Sequence, residues 1–185
     1  IRFFELPAAT TSVSPHQLKS IPPISTDEEI KMHRYVYAFR REAEDGEVFF
    51  RFPRFPEIIF ALDRDTLRTK SQKDIAVDAH DAVITALQAI IVTREEVPAG
   101  DDTALVQADG FVHLSVRESM KLELYKLYKE NAGSIADFAR SLGKSETAAR
   151  RLLDLRHSSR SSEIEKAVAV FGKRLAHDWA LEKAA

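Results

Sequence analysis

Two aromatic-rich runs on either side of an Asp-Gly turn constrain the fold of this chain more than any other feature. The runs are YVYAFRREA at 35–43 and EVFFRF at 47–52, and Glu-Asp-Gly separates them. Alternation places Tyr35, Tyr37 and Phe39 on one face of the first run, which is the pattern of a strand with one buried side. Asp-Gly between two such runs is a strong signal for an antiparallel hairpin. The sequence therefore predicts a sheet that begins with this hairpin.

The segment that follows changes from strand to helix periodicity. Pro53 and Pro56 break the strand pattern. EIIFAL, at 57–62, then predicts a third strand. Apolar residues in 70–92 recur at helical spacing, which predicts a helix of about five to six turns. Its apolar stripe consists of Ile75, Ala79, Ala82, Val83, Ala86, Leu87, Ile90 and Ile91. A three-stranded antiparallel sheet plus one helix makes a small α+β unit, which we assign to 32–98.

The rest of the chain predicts a separate helical unit. A polar stretch at 99–110 with two glycines is the predicted linker, and the second unit is assigned to 111–185. FVHLSV, at 111–116, predicts a short strand at the start of this unit. The sequence after it predicts helices. A last helix is predicted at 163–171, with Ser162 as its N-cap and a glycine as its stop.

Composition predicts a globular, cytoplasmic protein. Apolar residues make up 44% of the chain and charged residues 30%, which is typical of a folded domain. No apolar run approaches the roughly 20 residues of a membrane span and no secretory leader is recognisable, so we expect no membrane partner. The absence of Cys excludes disulfides and thiolate metal sites and suits a reducing compartment. A net charge of −2 means that any nucleic-acid binding requires a local basic patch, or an oligomer that gathers several.

The first 31 residues stand apart from this pattern. They mix Pro, Ser and Thr with apolar residues at no sustained period. We interpret 1–31 as an extension that is weakly ordered or foreign to the native protein, with Met32 as an alternative start.

SIADFARSLGKSETAARRLLDLRHSS, at 134–159, has the spacing of two short helices joined by a tight turn. Ser134 and Ser145 are predicted N-caps, and Gly143 suits the left-handed residue that such a turn needs. The inward stripes are Ile135, Phe138, Ala139 and Leu142 on the first helix, and Ala148, Ala149, Leu152 and Leu153 on the second. This is the arrangement of a helix-turn-helix, a unit that often reads DNA.

The polar face of the second helix predicts DNA binding. Residues 134–160 carry six basic and three acidic side chains, a local charge of +3 in a chain of −2, and phosphate binding requires such an excess. The predicted DNA-binding residues are Lys144, Ser145, Glu146, Thr147, Arg150, Arg151, Arg156 and Arg160. Among them, Arg150 and Thr147 are the expected base contacts, and Arg151 and Lys144 the expected phosphate contacts. The alternative is a helical hairpin with a solvated basic face.

Catalysis, a metal site and a cofactor are not predicted by any residue pattern. The six His are scattered without ligand-like spacing. Asp74, Asp78 and Asp81 share one helix face, which can indicate two-metal nuclease chemistry or the solvated side of an amphipathic helix. We take the second interpretation and predict a protein that is not an enzyme.

Particular motifs resemble the HicB family of antitoxins. In the C-terminal part these are the RLLD-x-RH run at 151–157, the Ser-rich turn after it and GKRL at 172–175. In the N-terminal part they are the Tyr-rich first strand, the acidic Gly turn and FPRFPE at 52–57, followed by a helix that ends near a Val-Pro pair. The resemblance covers roughly 33–176 and implies a truncated RNase H-like domain followed by an all-α helix-turn-helix domain.

The resemblance also implies a function. It indicates the antitoxin of a type II toxin–antitoxin pair, which would bind a HicA-like mRNA-cleaving toxin with its N-terminal domain and repress its own operon by binding operator DNA. Residues 33–96 carry 10 Lys or Arg against 12 Asp or Glu, a mildly acidic balance that suits a basic toxin. One recognition helix gives little specificity, so we expect a homodimer or higher homo-oligomer on paired half-sites. A stand-alone repressor that senses a small ligand is the alternative, and an RNase H-like nuclease is a further one.

Three residues depart from the family pattern. Arg54 stands where the family often has Asp, and Lys144 occupies a turn position that is usually apolar. Ala149 is smaller than the usual β-branched residue. The last two predict loose packing between the paired helices. Residues 1–31 have no counterpart in the family pattern.

Overall fold

The computed structural model describes residues 28–31, 35–103 and 106–176, with side chains from residue 35 onward. The predicted start at Met32 and residues 1–27 lie outside these ranges. The strands are β1 (Glu28–Lys31), β2 (Val36–Glu44), β3 (Glu47–Phe52), β4 (Phe55–Asp63), β5 (Gly110–His113) and β6 (Lys173–Ala176). The helices are α1 (Arg64–Thr69), α2 (Gln72–Thr93), α3 (Val116–Asn131), α4 (Ile135–Ser141), α5 (Glu146–Leu153) and α6 (Ser161–Ala169).

The predicted hairpin is confirmed as the joint between β2 and β3. These strands pair antiparallel, with Glu44 opposite Glu47. Asp45 and Gly46 form the turn with φ values of 47° and 89°, and positive φ at both central residues matches the twist of the flanking strands. Tyr35, Tyr37 and Phe39 are all buried, as the alternation predicted.

A fourth strand corrects the prediction of a three-stranded sheet. The order is β4-β3-β2-β5, and β5 pairs antiparallel with β2, with Gly110 opposite Phe39 and His113 opposite Val36. FVHLSV was assigned to the C-terminal unit, but this pairing places its strand in the sheet. The two partners are far apart along the chain, so no local pattern indicates that they pair.

The segment predicted as a linker is partly held against the sheet. The backbone N–H of Asp101 donates to the Val36 carbonyl at 2.7 Å, and its carboxylate accepts from the Ala38 N–H at 2.9 Å. The same carboxylate pairs with Arg54 Nε at 2.7 Å. This ion pair gives the arginine at position 54 a structural role.

Two short features of this region differ from the prediction. Pro56 lies within β4 instead of ending a segment before it, which is tolerated because β4 is the edge strand and a proline there gives up no hydrogen bond that the sheet needs. After β4, helix α1 was not predicted. Asp63 caps it by accepting hydrogen bonds from the Asp65 and Thr66 backbone N–H groups.

The apolar stripe of α2 packs into the core. Ile75, Ala79, Val83 and Leu87 are each at most 5% exposed, and the helix contacts β4 and β5. By length and composition α2 also qualifies as a membrane span within the described chain, which differs from the expectation that no apolar segment approaches that length. Core helices of soluble proteins meet the same criterion, and the burial of the stripe is the arrangement of a core helix.

The C-terminal part is not all-α in the described residues. β6 follows α6 and pairs in parallel with β1, with Glu28 opposite Lys173. The last residues of the 1–31 extension therefore form a strand, although the sequence predicted no strand there. Helix α6 begins at Ser161 with Arg160 in the N-cap position and no side-chain cap, so the prediction of Ser162 as the cap is also wrong.

Candidate nucleic-acid interface

The α4–α5 pair is built as its sequence predicts. Ser134 caps α4 by accepting from the Asp137 N–H at 3.1 Å, and Ser145 caps α5 by accepting from the Ala148 N–H at 3.3 Å. Gly143 lies between them with φ of 61°, a left-handed conformation that a residue with a side chain adopts only with strain. Local chemistry thus starts each helix and turns the chain sharply between them.

The inner sides of the pair form a closed aromatic and aliphatic core. Phe138 is fully buried, with its ring centre 5.1 Å from that of Tyr128 on α3 and 5.9 Å from that of Phe171. Ala149 is also fully buried, so its small side chain leaves no solvent-exposed gap between the helices. Lys144, the other residue expected to loosen the packing, points its side chain into solvent.

The outer side of the pair presents six of the eight predicted DNA-binding residues. All eight of them are exposed. Six follow one another through the turn and α5, namely Lys144, Ser145, Glu146, Thr147, Arg150 and Arg151. Arg150 Nη2 lies 3.4 Å from Glu146 Oε2 one helical turn earlier. An exposed pair of this kind contributes little energy, so Arg150 is available for another partner.

Arg156 and Arg160 lie beyond the end of α5, in a different setting. Arg156 Nη2 donates to Thr85 Oγ1 on α2 at 2.8 Å, and Arg160 occupies the N-cap position of α6. The structure therefore brings six of the predicted residues together on one helix and turn, and places the other two on the loop that follows.

A lysine that the sequence did not single out closes the C-terminal end of α5. Lys121 on α3 is completely buried, and its Nζ donates to the carbonyls of Arg151, Asp154 and His157 at 3.2, 2.5 and 2.6 Å. The last carbonyls of a helix lack partners within it and carry partial negative charge, so a cation there is favourable. Burial lowers the pKa of Lys121 to about 8, against the opposing influence of Asp154.

The turn after α5, at 154–159, is also bound to α2 and to the start of α3. The Leu155 N–H donates to Gln88 Oε1 at 3.0 Å, next to the bond between Arg156 and Thr85. Arg117 Nη1 on α3 donates to Ser158 Oγ at 3.0 Å. The end of α5 is thus fixed relative to both parts of the chain.

A cavity of about 350 Å³ lies where these elements meet. It is lined by His80, Asp81, Ile84, Ser115, Arg117, Glu118, Leu155 and Arg156. His80 Nε2 lies 3.2 Å from Glu118 Oε2. The hydrogen bond that His80 donates to the Glu118 carboxylate raises the pKa of His80. Burial acts to raise the pKa of Glu118, but the hydrogen bonds from His80 and Ser115 outweigh it and the net shift is downward.

Two of the three aspartates that share a face of α2 have structural partners, and the third, Asp81, lines the cavity beside His80. Asp74 accepts from the hydroxyl of Ser71, the N-cap of α2, at 2.7 Å, and Asp78 pairs with Lys70. In residues 35–103 and 106–176 no three His, Asp or Glu side chains come together in a way that could hold a metal ion.

Comparison with known proteins gives the class of the molecule. No family model matches the chain. Antitoxin HicB of Pseudomonas fluorescens (strain Pf0-1) is 30% identical over 141 residues, which cover 76% of this chain and 91% of that protein. Antitoxin HicB 2 of Photorhabdus laumondii subsp. laumondii is 26% identical over 145 residues, which cover 78% and 95%.

These matches identify the chain as an antitoxin of a toxin–antitoxin system. It belongs to the HicB family. The family assignment and the prediction that the chain is not an enzyme are confirmed.

Proposed function

We propose that this antitoxin neutralises a HicA-like mRNA-cleaving toxin through its N-terminal unit and represses its own operon by binding operator DNA through the α4–α5 pair. It acts in the cytoplasm as a homodimer or higher homo-oligomer, without a cofactor. In this proposal the sheet β4-β3-β2-β5 and α2 make up the N-terminal unit with a truncated RNase H-like fold, and the α4–α5 pair is the helix-turn-helix.

One observation carries the DNA-binding part. Helix α5 buries Ala149, Leu152 and Leu153 and exposes Thr147, Arg150 and Arg151. A helix held from one side with hydroxyl and guanidinium groups on the other is the arrangement that can enter a major groove. The guanidinium of Arg150 suits a bidentate contact to guanine.

The charge distribution supports the same part. Residues 134–160 carry six basic and three acidic side chains, although the whole chain has a net charge of −2. This surface therefore offers a local positive charge for phosphate binding, and pairing two copies on adjacent half-sites doubles it.

DNA binding is tested with duplex DNA from the region upstream of the protein's own reading frame. Arg150→Ala should relax sequence preference by about 1–3 kcal/mol at one base pair, measured by fluorescence anisotropy on single-base variants of the duplex. Arg140→Ala is the matched control, because Arg140 is an exposed arginine on α4 that pairs with Asp137 at 2.7 Å. Equal weakening on unrelated duplexes would make Arg150 a phosphate contact, and no binding by the unmodified protein would refute the DNA-binding part.

Toxin neutralisation is tested by co-expression with the neighbouring reading frame. We expect a small basic protein encoded there to arrest growth alone, and to co-purify with the antitoxin without arrest when both are produced. The double variant Arg150→Ala/Arg151→Ala should still rescue growth, because the proposal assigns the toxin to the other unit. Failure to co-purify together with failure to rescue growth would refute the toxin-binding part. The absence of any such reading frame would favour a stand-alone repressor, for which the cavity beside His80 is the place to seek a ligand.

A further inference from the structure

Lys121 is an isolated buried cation at the end of the helix that is proposed to read DNA. It lies in the second turn of α3 and is 0% exposed. Its ammonium group reaches three carbonyl oxygens, of which one belongs to the last turn of α5 and two to the turn that follows. The Asp154 N–H, at the C-cap, donates back to the Arg150 carbonyl at 2.9 Å, so a predicted base contact is bonded to a residue whose own carbonyl Lys121 anchors.

We propose that Lys121 is a positioning residue that fixes the C-terminal end of α5 and thereby the placement of Thr147 and Arg150 on DNA. The inference rests on the proposed DNA binding of the α4–α5 pair. Lys121 is buried beneath the helix, so it acts through the α5 backbone and touches no DNA itself.

The proposed role depends on all three protons of the ammonium group. A charged lysine has three N–H donors and no acceptor, which matches three carbonyl acceptors. A neutral amine has two donors and a lone pair, so one carbonyl loses its partner and faces a lone pair. A short helix of eight residues, Glu146–Leu153, has little stability of its own, so its end can shift when this anchor weakens.

The charged surroundings of Lys121 are few. Asp154 and Glu118 favour its charged form, while Arg117 opposes it, and His157 contributes only a carbonyl. Helix α6 buries Ile164, Ala167 and Val168. Its charged residues Glu163, Glu165 and Lys166 are exposed.

A pH titration of the unmodified protein removes this charge without replacing a side chain. Binding to duplex DNA from the upstream region is measured from about pH 7 to about pH 9.5 at constant ionic strength. We expect affinity to fall about tenfold, the equivalent of losing one weak base contact, with a midpoint near the pKa of about 8. Lys121→Met should bind at least as weakly already at pH 7 and show no such transition. Lys129→Met, a matched control in the last turn of α3, should follow the unmodified protein.

Two further measurements separate positioning from general stability. The folded protein releases the Lys121 proton at lower pH than the unfolded chain, so stability rises over the range in which affinity falls. A purely structural role would make affinity and urea stability change together. The backbone amide signals of residues 152–159 should shift in NMR spectra with the same midpoint in the unmodified protein and not in Lys121→Met, and this measurement needs no DNA.

The outcomes distinguish the two proposals. Absence of DNA binding by every form at pH 7 would overturn the proposed function, and the positioning role with it. DNA binding that is strong in both the unmodified protein and Lys121→Met, and constant with pH, would overturn the positioning role alone. Loss of affinity in Lys121→Met that parallels a loss of stability, without the pH transition in the unmodified protein, would also overturn it.

Discussion

Replacing Gly110 with Ala tests whether β5 belongs to the sheet. Gly110 lies opposite Phe39 on β2. A Cβ atom built on it comes within 2.3 Å of Phe39 Cζ and 2.7 Å of Phe39 Cε1, far inside van der Waals contact. The ring covers the glycine, so the fold has no room for a methyl group unless Phe39 moves.

The ring has little freedom to move. Phe39 is 9% exposed, and its ring centre lies 5.6 Å from that of Phe50 and 6.0 Å from that of Phe52. Forcing extra volume into such packing costs about 1–3 kcal/mol, and a contact as short as 2.3 Å places the cost in the upper part of that range, about 2–3 kcal/mol. The greater strand preference of Ala over Gly returns roughly 0.5–1 kcal/mol. We therefore expect Gly110→Ala to lower the free energy of unfolding by roughly 1–2.5 kcal/mol, and the melting temperature by roughly 2–10 °C.

Urea denaturation at one fixed protein concentration measures this change as a lower midpoint with an unchanged slope. Gly133→Ala is the control, because the added Cβ would meet only Asp137 Oδ2, at 3.3 Å, an exposed carboxylate oxygen and not a packed ring. A Gly110→Ala protein as stable as the original, or more stable, would refute the placement of β5 against Phe39. The strand would then belong to the C-terminal unit, as its position in the sequence suggested.

Two further predictions concern pH. The unfolded chain keeps the Lys121 proton to about pH 10.5 and the folded chain only to about pH 8. Between these values the free energy of unfolding should therefore rise by up to about 3 kcal/mol relative to that of Lys121→Met. A stability difference between the two proteins that is constant with pH would contradict the buried charge. His80 has a raised pKa because it bonds to Glu118. Its stabilising effect should therefore be complete below about pH 6.5 and be lost as pH rises through the folded pKa. Urea titrations of the unmodified protein and His80→Gln should show their stability difference shrinking with rising pH, and an unchanging difference would show that the pair does not link α2 to α3.

Local patterns predicted the features that depend on local chemistry. The Asp45-Gly46 turn, the apolar stripe of α2 and the Ser134 and Ser145 caps all depend on residues a few positions apart. The exposure of the basic residues on α5 follows from the same periodicity, because they fall opposite the apolar stripe. Their binding to DNA stays a prediction.

Features that depend on contacts between distant parts of the chain were not predicted, because no local pattern indicates them. The pairing of β5 with β2, and that of β1 with β6, join segments that are widely separated along the chain. The burial of Lys121 could not be predicted for the same reason. A lysine in a helix with this sequence pattern is normally expected to face solvent, and its burial is explained by the α5 carbonyls, which are distant in the sequence.

Cations that bind the C-terminal ends of helices link successive elements between the sheet and the exposed arginines. Arg94, directly after α2, donates from Nη2 to the Ala132 carbonyl at the C-cap of α3 at 2.8 Å and lies 4.9 Å from the Tyr128 ring centre. Lys121 on α3 does the same for α5. Each contact satisfies carbonyls that a helix leaves without partners, and each runs from one element to the next along the path from the sheet to the exposed arginines. The boundary that composition suggests between an α+β unit and a helical unit is therefore bridged by direct contacts, because Arg94 after α2 binds the end of α3 and Lys121 on α3 binds the end of α5.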